Sequence, residues 1–299
     1  MSKMRRFAPA ILALLLGLFC SSCIVRGGLR PLRRKRDQKT GKVLGLKTAT
    51  RDELNVRIAR IYGSIDSFQA TVDMTPSVGS VYKGAITEYK DVRGFVLFRK
   101  PHEIRVLAQY PVVRTTAFDM VSNGTDFRFY LVSKNLFVTG SNAAPATSKN
   151  TLENLRPDAF LGSMLVRPAD PATESAVLFD MTDEDNATYV LLFLRKLPNG
   201  ELILGRNVWF DRTDLTITRQ MMFDDDGVNI VSDTRYSQWK PREGSLFPGH
   251  IDINRPEDGY GVVMDIMDVK MNVSLGADKF VLAQPQGAIL QVIGAPEKR

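Results

Sequence analysis

Cysteine and histidine are the scarcest chemically reactive residues of this 299-residue sequence, which contains two of each. His102 and His250 are far apart, and neither has a neighbour at the spacing of a metal site or a catalytic pair. The sequence also lacks a glycine-rich phosphate loop, a serine nucleophile elbow and the histidine–glutamate pair of a metalloprotease. We therefore expect no enzymatic activity, no metal site and no cofactor.

Long apolar runs are equally scarce. The run Ile11–Phe19 is shorter than the ~20 residues that a bilayer-spanning helix needs, and no second run follows it. It comes after a basic start and before the small residues Ser21-Ser22, which is the order of a secretory signal segment. Both cysteines, Cys20 and Cys23, end this segment. The rest of the chain must therefore be stabilised by apolar burial and not by disulfides.

The end of this segment resembles the signal of bacterial lipoproteins, in which small residues precede a cysteine that becomes acylated. Cys23 follows two serines, whereas Cys20 follows the bulky Phe19. We therefore predict a signal peptide over residues 1–22 and lipidation of Cys23. The alternatives are a disulfide between the two cysteines, a secreted protein without a lipid, and an uncleaved anchor helix.

Positive charge is concentrated at the start of the chain. The net charge is +7, but residues 1–49 carry twelve Lys or Arg against Asp37 alone, which leaves residues 50–299 with −4. We therefore expect no nucleic-acid binding. We interpret residues 23–49 as a lipidated, basic, flexible tether, because anionic headgroups attract basic residues beside an anchor by about 1 kcal/mol each. A solvated linker, kept extended by its own charge, is the alternative.

Two helices are predicted. Thr50, followed by Glu53 three residues later, has the pattern of a capping box. The apolar residues that follow have helical spacing and form one stripe: Leu54, Ile58, Ile61, Tyr62 and Ile65. A second helix is expected over Arg156–Leu165. Both helices need a larger apolar surface on which to lie.

Short strands separated by turn residues are predicted for most of the remaining chain. Those before the second helix are Phe68–Met74, Val81–Lys90, Val92–Arg99, Glu103–Gln109, Val112–Val121, Asp126–Val132 and Leu136–Thr139. Those after it are Ala176–Met181, Thr188–Arg195, Glu201–Phe210, Thr216–Phe223, Val228–Tyr236, Gly249–Ile253, Val262–Val273 and Lys279–Ala283. Because the connections are short, successive strands should pair antiparallel. So long a sheet must curl into a barrel or split into a sandwich.

Three motifs in this order resemble those of the LolA/LolB family of bacterial lipoprotein-sorting proteins, whose fold RseB-type envelope-stress regulators share. They are Phe98–Arg105 with its Lys-Pro-x-x-apolar-Arg pattern, Asn123-Gly124 with the aromatic strand that follows, and Phe280–Gly287. The resemblance covers residues 50–287. It implies a mainly β fold, in which a curved antiparallel sheet forms an incomplete (half) β-barrel covered by a few α-helices as a lid. We predict one such domain over residues 50–299.

The resemblance also implies a function. The resemblance implies a lipid-anchored protein in the outer membrane of a Gram-negative bacterium, facing the periplasm. Such a protein is not an enzyme and binds acyl chains in lipoprotein localisation or envelope lipid transfer. Ile24 after Cys23 is not the aspartate that keeps many lipoproteins in the inner membrane. The expected partners are the membrane, the acyl chains of lipids or lipoproteins and a periplasmic carrier protein, and the protein is expected to be a monomer. The alternative is an RseB-like envelope sensor or regulatory binding module that carries no ligand.

Candidate cavity residues are apolar residues of the helices and strands. The helices contribute Leu54, Ile58, Ile61, Phe160, Leu161 and Met164. The strands contribute Met74, Ile86, Phe95, Leu97, Ile104, Val106, Phe118, Phe129 and Leu192. Strand register is not determined by the sequence, so about half of the strand residues are expected to face away. The abundance of methionine suits irregular apolar contents such as acyl chains, although a filled core is the alternative.

Overall fold

The computed structural model describes residues 45–80, 84–143 and 155–293. The predicted signal peptide over 1–22, the lipidation site Cys23 and most of the predicted tether lie outside the described residues. These three remain predictions. The described residues belong to one compact unit. Neither α-helix in the described part of the chain has the length and apolarity that crossing a membrane requires.

The two α-helices occur where the sequence predicts them: α1 is Arg51–Gly63 and α2 is Pro157–Met164. The capping box of α1 is complete. The Thr50 hydroxyl accepts a hydrogen bond from the Glu53 amide at 3.3 Å, and the Glu53 carboxylate accepts one from the Thr50 amide at 2.7 Å. α2 starts at a proline, whose fixed φ suits the first helical position.

Most of the chain forms strands. The strands before α2 are β1 Ser67–Ser80, β2 Ala85–Glu88, β3 Val92–Arg99, β4 Glu103–Gln109, β5 Thr116–Ser122, β6 Asp126–Leu131 and β7 Leu136–Ser141. Those after α2 are β8 Glu174–Asp180, β9 Thr188–Lys196, β10 Leu202–Asp211, β11 Ile217–Phe223, β12 Ile230–Ser237, β13 Lys240–Arg242, β14 Ser245–Phe247, β15 His250–Arg255, β16 Tyr260–Met271 and β17 Ile289–Ile293. β13 and β14 form a separate hairpin, and the others form one sheet.

The sheet has the strand order β17-β7-β6-β5-β4-β3-β1-β16-β15-β12-β11-β10-β9-β8, with β2 paired to β1. At its centre β1 pairs with β3 on one side and β16 on the other, so Phe68 lies opposite both Phe98 and Met271. Only β17 and β7 pair in parallel among the assigned strand pairs. The edges β17 and β8 do not meet within the described ranges. The sheet is therefore open.

The sheet curves around α2. This short helix contacts β4 and β5 as well as β12 and β15, although β3, β1 and β16 lie between the two pairs of strands. A flat sheet could not bring both pairs to one helix, because neighbouring strands are about 4.8 Å apart. The predicted half-barrel with helices as its cover is thus confirmed. One core cluster joins α1, α2 and the concave face.

The convex face carries a different cover, the chain segment Leu275–Ala288, which we call the C-terminal strap. Guanidinium groups of Arg99, Arg105 and Arg128 donate hydrogen bonds to main-chain carbonyl oxygens of the strap. Leu282 is buried beneath the strap in a small second apolar cluster. From the strap the chain continues into β17.

The three sequence motifs are neighbours in space. Arg105, in the first motif, donates to the Lys279 carbonyl oxygen at 3.0 Å, directly before the third motif begins. Gly124, in the second motif, has φ +92°, and a Cβ there would lie 2.5 Å from the Cβ of His102 in the first motif. The motifs therefore hold the strap on the convex face, while alternate residues of the same motifs, among them Phe98, Ile104 and Phe129, are buried on the concave face.

Two strand predictions are wrong, and three strands were not predicted. The strand predicted from Val112 begins only at Thr116, because residues 110–115 form a loop in which Arg114 has φ +52°. The strand predicted over Lys279–Ala283 is instead an extended strap with a short 3-10 turn. The sequence analysis missed β13, β14 and β17, which are short or pair in an unusual direction.

Candidate functional site

The concave face is mainly apolar. Its buried aromatic side chains include Tyr260, Phe68, Phe98, Phe127, Phe129, Phe193 and Phe210 on the strands, and Phe160 of α2 and Phe247 of β14 pack against them. Buried methionines lie among them: Met74, Met120, Met164 and Met264. Because methionine fits irregular neighbours, this surface can repack around different apolar contents.

α2 lies across this face and has few polar links to it. The Gln220 side-chain amide donates to the Gly162 carbonyl oxygen at 2.9 Å, which joins α2 to β11. The Thr234 hydroxyl donates to the Ser163 hydroxyl at 3.1 Å, which joins α2 to β12. The other contacts of the helix with the sheet are mainly apolar. Since apolar contact is non-directional, another apolar group can take the place of this helix.

α1 is held by apolar burial and by polar contacts at its C-terminal end. Its side chains Leu54 and Ile58 are fully buried against the sheet. At its C-terminal end the Lys100 ammonium donates to the Tyr62 carbonyl oxygen at 2.8 Å and lies 4.4 Å from the centre of the Tyr62 ring. The helix is thus fixed by burial, a hydrogen bond and a cation–π contact.

Two crevices lie between the helices and the sheet, one at each end of α2. The first crevice includes Ile58, Ile61, Met164, Ile217, Trp239 and Phe247 in its lining. The second crevice includes Met74, Phe118, Leu155, Phe160, Tyr260 and Val262. Each leaves about 10 Å³ of free space, which is room for about one water molecule. Neither crevice is therefore large enough to hold an acyl chain.

Exposed apolar residues are collected at the end of the sheet that contains the second crevice. We call them the apolar rim: Ile86, Tyr89, Tyr110, Val112 and Val113. They lie on β2 and on the loops next to the start of β3 and between β4 and β5. Val112 is 92% exposed and Val113 65% exposed. Grouped exposed apolar side chains are typical of a contact site for protein or lipid.

Most of the predicted cavity residues lie on the concave side. Those that are packed in or against its core are Leu54, Ile58, Ile61, Met74, Ile104, Val106, Phe118, Phe129, Phe160, Leu161 and Met164. Whether they bind a ligand remains a prediction. The other four are corrected. Phe95, Leu97 and Leu192 lie on the convex face, because they alternate with residues that are buried inside, and Ile86 belongs to the apolar rim.

A buried ion pair on the concave face is not among the residues predicted from the sequence. Arg206 donates two hydrogen bonds to Glu174, at 3.0 and 3.1 Å, and one to the Arg167 carbonyl oxygen at 2.7 Å. Its guanidinium carbon lies 4.0 Å from the centre of the Phe193 ring. The pair ties the loop after α2 to β8 and β10. The one feature of the sequence that could indicate this ion pair is an arginine, Arg206, within the apolar strand β10.

Burial and pairing shift both pKa values of this pair. Burial lowers the pKa of Arg206 from its ordinary value, against the opposing effect of Glu174. Burial alone would raise the pKa of Glu174, but the hydrogen bonds and charge of Arg206 hold it below its ordinary value. Both groups are therefore charged at neutral pH.

The histidines have no common site. His102 packs beside Gly124, and the Nδ1 atom of His250 lies 2.7 Å from an Asp265 carboxylate oxygen on the convex face. In the part of the chain that the structure describes, no three His, Cys, Asp or Glu side chains are grouped as a metal ion would need.

The fold is similar to that of solved proteins, although no protein-family model and no curated protein sequence matches this chain. A LolA superfamily protein from Nitrosomonas europaea is 16% identical, with 79% of this chain and 99% of that chain covered and a TM-score of 0.50. A putative outer membrane lipoprotein-sorting protein domain from Vibrio parahaemolyticus is 11% identical, with 76% and 92% covered and a TM-score of 0.47. The resemblance stated from the sequence is thus confirmed at the level of the fold: this chain has the fold of the LolA superfamily.

Proposed function

We propose that this protein binds acyl chains of lipids or lipoproteins between its concave face and α2, and acts in lipoprotein localisation or envelope lipid transfer without being an enzyme. The observation that carries the proposal is the character of the interface beneath α2. It is an apolar, methionine-containing surface on which the helix is held by two side-chain hydrogen bonds to the sheet. An acyl chain restores the apolar contacts that α2 gives up, so exchange costs little.

The apolar rim supports the same proposal. Val112 and Val113 project from the end of the sheet where the second crevice opens beside α2. At this position apolar side chains can contact a membrane or an incoming acyl chain. An acyl chain that enters or leaves the interior is then shielded from water. We therefore place the entrance for acyl chains at the rim.

The proposal includes the membrane anchor and the partners. Acylation at Cys23 holds the protein in the outer membrane, facing the periplasm. The basic residues 23–49 reinforce the anchor, because several acyl chains together with basic charge bind a membrane stably, whereas a single chain binds only marginally. The protein works as a monomer and receives its ligand from a periplasmic carrier protein.

The second candidate function is an RseB-like sensor or regulatory binding module. The observation that favours it is the filled interior: the two crevices leave about 10 Å³ each, and the core residues already pack against one another. A protein of this kind would respond to its partners through its outer surface and would not open. The two candidates therefore differ in whether α2 must move.

A disulfide lock on α2 distinguishes them. The Ser163 and Thr234 hydroxyl oxygens are 3.1 Å apart and both side chains are buried, so cysteines at these positions are placed to form a disulfide between α2 and β12. The protein carrying Ser163→Cys and Thr234→Cys is purified from a bacterial envelope, and native mass spectrometry measures bound lipid or acyl peptide before and after reduction.

For an acyl carrier we expect the wild-type protein and the reduced variant to bind ligand, and the oxidised variant to lose at least nine-tenths of it. The reduced form is the matched control, since its sequence is the same. If the wild-type protein binds no added phospholipid or lipopeptide, the carrier proposal is wrong and the regulatory module is favoured. Equal binding by the oxidised and reduced forms would place the ligand elsewhere than under α2.

A further inference from the structure

Strand β17 forms an edge of the sheet and carries no feature that discourages pairing with another strand. Within the described residues only β7 pairs with it, on its inner side. Ile289 is 63% exposed, and Leu290 and Val292, which point to the other face, are 52% exposed each. No charged residue occurs over Val281–Ile293. Edge strands are usually protected by charges, proline or a bulge, and β17 has none of these.

The opposite edge of the sheet, β8, has such protection. Glu174 at its start points inward and forms the buried ion pair with Arg206. Asp180 ends the strand and pairs with Arg212. An inward-pointing charge and a charged strand end both hinder the addition of another strand. Of the two edges, β17 is therefore the one suited to strand addition.

β17 is held in position from its inner side. The Ile289 amide donates to the Asn135 carbonyl oxygen at 2.8 Å, and the Asn135 side-chain amide donates to the Gly287 carbonyl oxygen at 2.8 Å. Main-chain N–H and C=O groups of successive strand residues point to opposite sides. Because those of Ile289 point towards β7, those of Leu290 and Val292 point to the open side. The edge is thus a fixed template of donors and acceptors.

The start of β17 lies at the end of the sheet that contains the second crevice. Ile289 is opposite Leu136 of β7, which is opposite Leu131 of β6. Leu131 in turn is opposite Phe118 of β5, which lines the second crevice. Three strand spacings, roughly 14 Å, therefore separate β17 from this crevice. About five residues of an extended chain span that distance.

We propose that β17 pairs with the extended polypeptide segment beside the acyl group of a lipoprotein cargo, and that this segment is uncharged. A charged segment would find no opposite charge on β17. The acyl chain lies beneath α2, while the segment adds a strand to the edge of the same sheet. This inference rests on the proposed function and narrows it, because main-chain pairing selects acylated polypeptides over free lipids.

The test uses the full chain in lipid nanodiscs and three photoactivatable probes with the same C16 acyl tail. The first carries a peptide of alternating valine and serine, the second carries the same peptide with every amide N-methylated, and the third is the fatty acid methyl ester. Intact-protein mass spectrometry measures the labelled fraction against probe concentration. The variant Val292→Pro removes one N–H from the open side, and Leu290→Lys adds a charge to the edge.

The matched control is a proline on the other edge, Ala176→Pro. The Met181 amide donates to the Thr188 carbonyl oxygen, towards β9, so by alternation the Ala176 amide points away from β9. This variant therefore also removes an N–H from an open side, but on β8. Identical nanodiscs make partitioning of the probes into the lipid the same for every variant.

We expect the wild-type protein to bind the first probe about tenfold more tightly than the other two, since a few main-chain hydrogen bonds supply such a difference. Val292→Pro and Leu290→Lys should reduce the affinity for the first probe to that for the second, and leave the other two probes unchanged. Ala176→Pro should match the wild-type protein. Leu290→Lys keeps the inference testable if Val292→Pro does not fold.

Three results would overturn the inference while the acyl-binding function stands. Equal wild-type affinities for the first and second probes would mean that no main-chain pairing occurs. A difference that persists in both β17 variants would place the segment elsewhere. If native mass spectrometry finds a dimer that Leu290→Lys dissociates, a second copy of this chain occupies the edge. Labelling by none of the probes, the methyl ester included, would contradict the proposed function together with the inference.

Discussion

The two faces of one sheet are covered in opposite ways. On the concave face α2 rests on apolar side chains, with two side-chain hydrogen bonds to the strands. On the convex face the C-terminal strap buries little apolar surface and is held by arginine side chains that donate to its main-chain carbonyls. The first cover depends on a non-directional interaction and the second on directional ones.

This difference assigns different roles to the covers. In the proposed function an acyl chain replaces α2, because it offers the same kind of apolar contact as the helix. It cannot replace the strap, because it has no carbonyl oxygens at the required spacing for Arg99, Arg105 and Arg128. We therefore expect the concave face to exchange its contents while the convex face keeps the curvature of the sheet.

The largest expected effect compares two phenylalanines of β3. Phe98 is fully buried on the concave face and packs against Phe68 at 5.2 Å between ring centres, whereas Phe95 is partly exposed on the convex face. We expect Phe98→Ala to lower the free energy of unfolding by about 3–5 kcal/mol and Phe95→Ala by about 1 kcal/mol. Urea unfolding of both variants measures this, and equal losses would contradict the assignment of the faces.

The next effect concerns the strap. Arg105 donates to both carboxylate oxygens of the buried Asp119, at 3.0 and 2.6 Å, as well as to the strap. We expect Arg105→Met to cost about 2 kcal/mol, because it leaves that carboxylate unpaired. Hydrogen exchange should quicken in residues 275–288 and stay unchanged in α2.

The control for this change is Arg93→Met. Arg93 pairs with Asp73 on the same face, but both side chains are more than a third exposed. We expect a loss of about 0–1 kcal/mol and no change in exchange of the strap. If Arg105→Met quickened exchange in α2 as much as in the strap, the two covers would not be independent.

The smallest expected effect is a pH dependence of the pair Glu174–Arg206. The folded-state pKa of Glu174 lies below its ordinary value of 4.5, so the unfolded chain binds the proton more readily. The stabilisation is therefore complete above that ordinary value and is lost as the pH falls through the folded-state pKa. Unfolding free energies between pH 6 and pH 3 should fall less for Glu174→Gln than for the wild-type protein, and parallel curves would refute this assignment.

Much of the fold is predictable from local sequence patterns. The capping box at Thr50, the proline at the start of α2 and the alternation in β3 and β4 are local signals, and they predict the correct elements. The partners of β17 are not local: it lies beside β7 because the strap carries it there. Turn residues predict hairpins between consecutive strands, and they cannot predict that β17 pairs with the distant strand β7.

The site is less predictable than the fold. Phe95, Leu97 and Leu192 are predicted cavity residues because they are apolar. Which side of a strand faces inward depends on the register of strand pairing, however, and apolar residues occur on both sides of these strands. The sequence does not indicate the burial of three polar residues: Arg156, Arg206 and Tyr260. Charged and hydroxyl side chains are usually exposed, so only the three-dimensional structure reveals that these are buried.

The pairing of β1 with β16 determines when the centre of the sheet can fold. This pairing joins Phe68 to Met271, about two hundred residues later in the chain, so it can form only after β16 has been synthesised. Until then β1 is paired with β3 on one side only, and its other edge, which becomes the middle of the sheet, is free to aggregate. A chain that emerges from its N-terminus during synthesis or export therefore depends on protection of β1 for most of that time, and its folding is slow because the decisive contacts are distant in sequence.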